Sequence, residues 1–144
     1  MSAGRPAIVV HDLDQATAAL RASAAAGVPV TLWSAPGAAG YAGLGFLDAV
    51  FAQAAEAVPE ADHDAVVDCR GSPVLAHEAL SRGFAGVAFA GRGAMRRTLQ
   101  AIADDCGGQL VTAGPGRQAL DLARSADPER DSADYLANRR ARRL

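Results

Sequence analysis

Residues 66–91 read VVDCRGSPVLAHEALSRGFAGVAFAG. An apolar run stops at Asp68, and Asp68, Cys69 and Arg70 stand where a strand gives way to a loop. Pro73 suits the first turn of a helix, where its missing N–H costs nothing, with Ser72 before it as the cap and Gly83 after it as the stop. Residues 86–90, GVAFA, then make a second strand. A strand, helix, strand unit of this length implies a parallel pair joined by a right-handed crossover.

The same alternation extends in both directions. Residues 7–10 (AIVV) form a short continuous apolar run, as in a strand buried on both faces. Leu13, Ala16, Leu20 and Ala24 then recur at helical spacing, with Asp12 or Asp14 to accept from the first free amides and Gly27 as the C-terminal stop. VPVTLW (28–33) is a second strand, and residues 34–43 follow as a small-residue loop. Leu47, Val50, Phe51, Ala54 and Val58 make one helical stripe that ends at Pro59. Residues 60–64 read as a polar turn before the strand Ala65–Asp68.

Downstream, a helix is predicted from about Gly93 to Asp105, with Met95, Leu99, Ile102 and Cys106 on one side, followed by a strand at 109–112. RQALDLARSA (117–126) reads as a short helix. A second helix is expected over 131–144, capped by Asp131 or Ser132. The fold class is therefore α/β, a parallel (βα)4-5 unit resembling half of a TIM barrel, the alternative being a flavodoxin-like open parallel sandwich. Residues 1–114 form the repeating core. Residues 115–144 form a C-terminal helical extension with an Arg-rich tail, in the same domain.

With 144 residues the chain fits one domain and is too short for a complete barrel of roughly 250 residues. All 14 basic residues are Arg, which excludes Schiff-base chemistry through a lysine amine. Two cysteines are too few for a disulfide framework, and both read as reduced thiols. The N-terminus has no basic segment followed by a long apolar run, and no stretch approaches a membrane span, so the expected location is the cytoplasm and no membrane partner is expected. The tail ANRRARRL (137–144) is basic against an acidic body. The body lacks the basic face with interleaved aromatics of a nucleic-acid binder, so nucleic acid is not expected as a partner.

In parallel α/β folds ligands bind at the carboxyl ends of the strands. That rule selects His11 and Asp12, Ser34 with Gly37, Asp68 to Gly71, Gly91 with Arg92, and Thr112 with Gly114. Small residues let backbone amides approach a ligand, and Arg70 or Arg92 could pair a phosphate or carboxylate bidentately. The same small residues are ordinary turn chemistry, and no GxGxxG or GxxxxGKS pattern accompanies them. Asp68 reads equally as a carboxylate in a site or as a helix cap. Cys69 reads as a buried thiol before it reads as a ligand. A metal would need His11, Asp68 and Cys69 to converge, which requires the first and third strands to present them together.

Over roughly residues 7–110 the chain resembles the class II, metal-dependent fructose-bisphosphate and tagatose-bisphosphate aldolases. HDLDQATAALRASAAAGVPVTLWSAPGAAGYAG is similar to that family's opening, NNLEQAQAIL…PVILQ.S.GA.KYAG. VVDCRGSPVLAHEALSRGFAGVAFAG is similar to its HLDHGDSFELAKAAIDSGFSSVMIDGS, without a gap. The resemblance places Asp68 on the family's proton-donating Asp and Ser34 on its substrate-contacting Ser. It also puts Cys69 where the family has a zinc-binding His, Val9 where it has an Asn near the substrate, and Ala90 in place of the Asp of its DGS motif. The family's remaining zinc histidines and Gly-rich phosphate loop have no counterpart in this chain.

The match and its departures together imply a divergent, non-aldolase relative that binds a small anionic metabolite or a protein partner at the strand carboxyl ends. One alternative is a structural or assembly protein with no ligand. Another is a metal-assisted lyase or isomerase with Asp68 as acid/base and a metal, zinc by resemblance, held by Cys69 and His11 in an incomplete ligand set. A half-barrel leaves two unpaired edges and an uncovered apolar inner face. A homodimer, another protein, or a fold-back of 115–144 would cover them, and a homodimer or fold-back monomer is expected.

Overall fold

The computed structural model describes residues 4–112 and 114–142. The first half of the chain supplies β1 (Ala7–Val10), α1 (Leu13–Ala26), β2 (Val30–Ser34), a one-turn α2 (Ala38–Tyr41), α3 (Leu44–Ala57) and β3 (His63–Asp68). The second half supplies α4 (Pro73–Ser81), β4 (Gly86–Ala88), α5 (Gly93–Cys106), β5 (Gln109–Val111), β6 (Leu120–Asp121), a 3-10 turn (Leu122–Arg124) and α6 (Pro128–Arg142). The described strands form one six-stranded sheet in the order β5-β4-β3-β2-β1-β6, and every pairing is parallel.

From β1 to β5 the order in the sheet is the order in the chain, so right-handed crossovers place all the intervening helices on one side. Sequential order with helices on one side is the arrangement found along a barrel wall, here in a sheet whose ends are β5 and β6. The helical side holds the main core, in which Ile8, Leu20, Leu32, Phe51, Val67 and Phe89 are buried together. The predicted caps hold. Asp12 accepts from Gln15 N at 2.8 Å, Gly27 ends α1 in the left-handed region, and Ser72 accepts from Leu75 N at 3.2 Å in front of Pro73. The stripe Leu47, Val50, Phe51, Ala54 and Val58 is buried throughout.

On the opposite, inner face Ala7, Val9, Trp33, Val66 and Ala88 form a second cluster, against which Val111 and Ala119 pack. None of the five is more than 9% exposed. The inner face that a bare half-barrel would leave uncovered is thus buried within the chain, and the chain's own route explains the burial. After β5 the chain re-enters the sheet beside β1, at the other edge. Helices occupy one side, so this connection returns across the inner face; travelling backwards on the opposite side keeps the crossover right-handed.

Beyond this connection residues 115–142 fold back onto the start of the chain. β6 pairs with β1 through Ile8↔Leu120 and Val9↔Asp121, and α6 packs along α1. Leu122 and Leu136 are fully buried in the main core, and Arg140 reaches the carbonyl of Ala26 at the C-terminal end of α1. Residues 143–144 of the expected tail lie outside the described residues.

Several local expectations are revised. The stretch 117–126 is not a helix: the Asp121 carboxylate accepts from Ala123 N at 2.9 Å, a local turn that competes with helical bonding, while the free edge of β1 takes up the backbone of β6. α6 begins at Pro128, earlier than expected. Asp127 caps it by accepting from Arg130 N at 3.2 Å, whereas Ser132 lies inside the helix with its hydroxyl buried and without a partner. β3 begins at His63 because Val30 and Thr31 extend the ladder to His63 and Asp64, and Arg5 balances that end through ion pairs with Asp62 and Asp64 at 3.4 and 3.2 Å. The small-residue loop contains α2. On α5 only Leu99 and Ala103 are buried, while Met95 and Cys106 are exposed, because this helix covers the last strands at a sheet edge and overhangs them at both ends.

Candidate anion site at the carboxyl ends of β3 and β4

The side chains of Asp68 and Cys69 point to opposite faces, as consecutive residues of a strand must. Cys69 enters the helical-side core, where burial and then the negative charge of Asp68 push its thiol up to about 12. At pH 8 such a thiol is thiolate in only about one molecule in ten thousand. Cys106, by contrast, is exposed. Titration of the native protein with Ellman's reagent at pH 8 is therefore expected to count one thiol, and titration in guanidinium two. Prompt reaction of both in the native protein would contradict the burial of Cys69.

Asp68 faces the inner side. Its Oδ1 accepts from Arg70 N at 2.8 Å, a tight local turn that holds Arg70 at φ 47, the one non-glycine with positive φ among the described residues. Asp68 does not cap α4, since Ser72 does. The Arg70 carbonyl accepts from Ala90 N at 2.7 Å, fixing the loop to the end of β4. The Arg70 side chain lies flat against Gly37: a Cβ at residue 37 would meet Arg70 Nε at 2.8 Å, and φ +70 there also favours glycine. Gly37 thus admits the guanidinium to the strand ends.

Asp68 and Arg70 line one open cavity of about 300 Å³, together with Pro36, Phe89, Thr112 and Pro115. No carboxylate among the described residues lies within ion-pair distance of Arg70. α4 and α5 begin at this end of the sheet, and neither carries an acid in its first turn. The Arg70 guanidinium, helix N-termini and a concave wall meet here and favour an anion, against the Asp68 carboxylate, one oxygen of which is engaged by Arg70 N.

The remaining candidates divide between framework roles and a second locus. Ser34 is buried and structural: its Oγ accepts from Asp68 N at 2.8 Å and lies 3.3 Å from the Ala35 carbonyl, tying β2 to β3. Gly91 is required by packing, because a Cβ there would stand 2.2 Å from the Phe89 ring. Gly71 and Arg92 are exposed at the rim. Arg96, absent from the sequence-based candidates, donates to the Phe89 carbonyl at 2.9 Å and fixes the end of β4 from the first turns of α5.

His11 and Asp12 sit across the sheet, at β1. His11 Nε2 and Asp121 Oδ1 are 2.6 Å apart, and the His11 amide donates to Gln15 Oε1 at 2.8 Å. Gln15 also donates to the Leu122 carbonyl at 3.0 Å, so it ties the end of β1 to the returning segment. Burial pushes the Asp121 carboxyl up, but the hydrogen bonds from His11 and Ala123 N and the His11 charge outweigh it and hold the group below its ordinary value. Asp121 was not a sequence candidate, because a two-residue strand leaves no periodicity to read.

These positions do not fit the expected metal. β2 separates β1 from β3, so His11 pairs with Asp121 while Cys69 is sealed on the other face of the sheet. Among the described residues no group of three or more His, Cys, Asp or Glu is placed to hold an ion. Among the same residues no helix is long and apolar enough to cross a membrane. Compared with known proteins, the chain matches no family model and no curated protein.

Proposed function

We propose that this chain binds a small anionic compound, one bearing a phosphate or carboxylate, in the cavity at the carboxyl ends of β3 and β4. The observation that carries this reading is Arg70, held at φ 47 by the Asp68 turn, laid against Gly37 and left without a carboxylate partner among the described residues. A non-glycine residue in the left-handed region costs about 1 kcal/mol. A strained, unpaired guanidinium at a strand-end cavity is the kind of local cost associated with ligand sites. The sequential strand order and the two similar sequence segments support a divergent relationship to class II aldolases. The reading includes no catalytic step, since the donor set for a metal is not assembled.

Arg70→Gly tests it, because the change removes the guanidinium and the strain together. The free variant is expected to unfold at the wild-type temperature or slightly above it, by up to about 1 kcal/mol of stability. Saturating inorganic phosphate or fructose 1,6-bisphosphate should raise the wild-type melting temperature, by linkage of about 2.7 kcal/mol at a hundredfold excess over Kd. The variant should lose that shift. An equal shift in both proteins, or none in the wild type, overturns the proposal.

A further inference from the structure

The end of the molecule where the strands terminate is polarised along the sheet order. At its centre, after β2 and β3, stand Tyr41, Phe46 and Val74, with Met95 next to them after β4; these are the large apolar side chains exposed among the described residues, Tyr41 at 70% and Val74 at 73%. A Cβ at residue 40 would lie 3.8 Å from Leu75 Cδ1, so the segments carrying Tyr41 and Val74 adjoin. Towards the β4 and β5 edge the exposed charges are Arg92 and Arg97, at the start of α5. Towards the β1 and β6 edge acids outnumber bases: Asp12 and Asp14 at the start of α1, and Asp127 and Glu129 at the start of α6, against Arg124 and Arg130. α6 begins at this end because Arg140, near its other terminus, reaches the far end of α1.

We infer that this face docks against the same face of a second copy, related by a two-fold axis through its apolar centre. In an isologous contact each patch meets the patch on the opposite side of the axis. Apolar centre therefore covers apolar centre, and the acidic side of each copy covers the basic side of the other twice over. No such pattern of charge is needed for solubility. The inference does not rest on the anion reading: the phosphate test reads Arg70, whereas self-association is read at Arg92, Arg97, Asp14 and Glu129.

Charge exchange between copies provides the test. In sedimentation velocity across micromolar concentrations the wild-type protein is expected to be a dimer that weakens with added salt. The double variant Arg92→Glu/Arg97→Glu, and separately Asp14→Arg/Glu129→Arg, should each weaken self-association by at least about tenfold, because like charges then face each other. All four positions are exposed, so both variants should stay folded, with the far-ultraviolet circular dichroism of the wild type. Mixed one to one, they should form a heterodimer, since both contacts become opposite-charge pairs again. A wild-type monomer at every concentration, a dimer indifferent to the reversals, or a mixture that stays monomeric overturns the inference. So does a wild-type monomer that co-sediments with phosphatidylserine vesicles, which would make the face a membrane-surface patch.

Discussion

Leu136→Ala is expected to lower the unfolding free energy by about 2–5 kcal/mol, the range for truncating a fully buried leucine. Leu136 is the inward residue of α6, completely buried in the main core beside α1, although it lies in a segment that reads as a peripheral extension. For a domain of this size the loss corresponds to a fall in Tm of about 6–15 °C. The shape of the transition is as informative as its midpoint. β6 is hydrogen-bonded into the sheet and Leu122 shares the core with Leu136, so α6 should leave only with the rest of the fold. A single cooperative transition, the same by far-ultraviolet circular dichroism and by tryptophan fluorescence, is the expected result. An early loss of helix signal at an unchanged main transition would show the extension to be a separate appendage.

Trp33→Ala should cost about 3–5 kcal/mol, the range for removing a large aromatic side chain. Trp33 is the chain's single tryptophan, and it lies in register between Val9 and Val66 on the inner face. Its neighbours there are small: Ala7, Ala88 and Ala119 supply little volume, so the indole is the main filling of that side of the sheet. Relaxation cannot close the gap cheaply, because backbone spacing in a parallel sheet is fixed by its ladder. Trp33→Phe, which leaves most of the volume in place, should cost less than half as much. In the native protein Trp33 emission should be blue-shifted and poorly quenched by acrylamide. Ready quenching would mean that the inner face is open to water.

How much of this was legible in the sequence depends on the length of the element concerned. β1 to β5 and the long helices announce themselves because apolar runs such as AIVV and stripes such as Leu47, Val50, Phe51 extend over a full period and carry their own stops. α2 is a single turn of small residues, and β6 is two residues long; neither contains enough positions to show a repeat. The stretch around Leu120 has helical spacing on paper, yet Asp121 turns the backbone and the edge of β1 recruits it, a tertiary effect with no local signature.

The site divides in the same way. Strand-end reasoning placed Asp68 and Arg70 at the carboxyl end of β3, where they line a cavity, since the end of a strand follows from the strand. It could not tell that Ser34 faces the framework, that Gly91 answers to the Phe89 ring, or that His11 is taken by Asp121. Each of those roles depends on a partner far away in sequence.

The return of the chain from β5 to β6 also bears on how such a fold could be enlarged. Complete eight-stranded rings can be assembled by joining two half-rings end to end, each offering free edges and an empty interior to the other. Here the edge of β1 is occupied by the chain's own β6, and the interior is crossed by the segment that leads to it. A tandem gene duplicate of this sequence would therefore fold as two beads, each complete, and not as one closed ring. To make a ring, an engineer would first have to cut away everything after Val111, and with it Leu122 and Leu136, which hold the fold together.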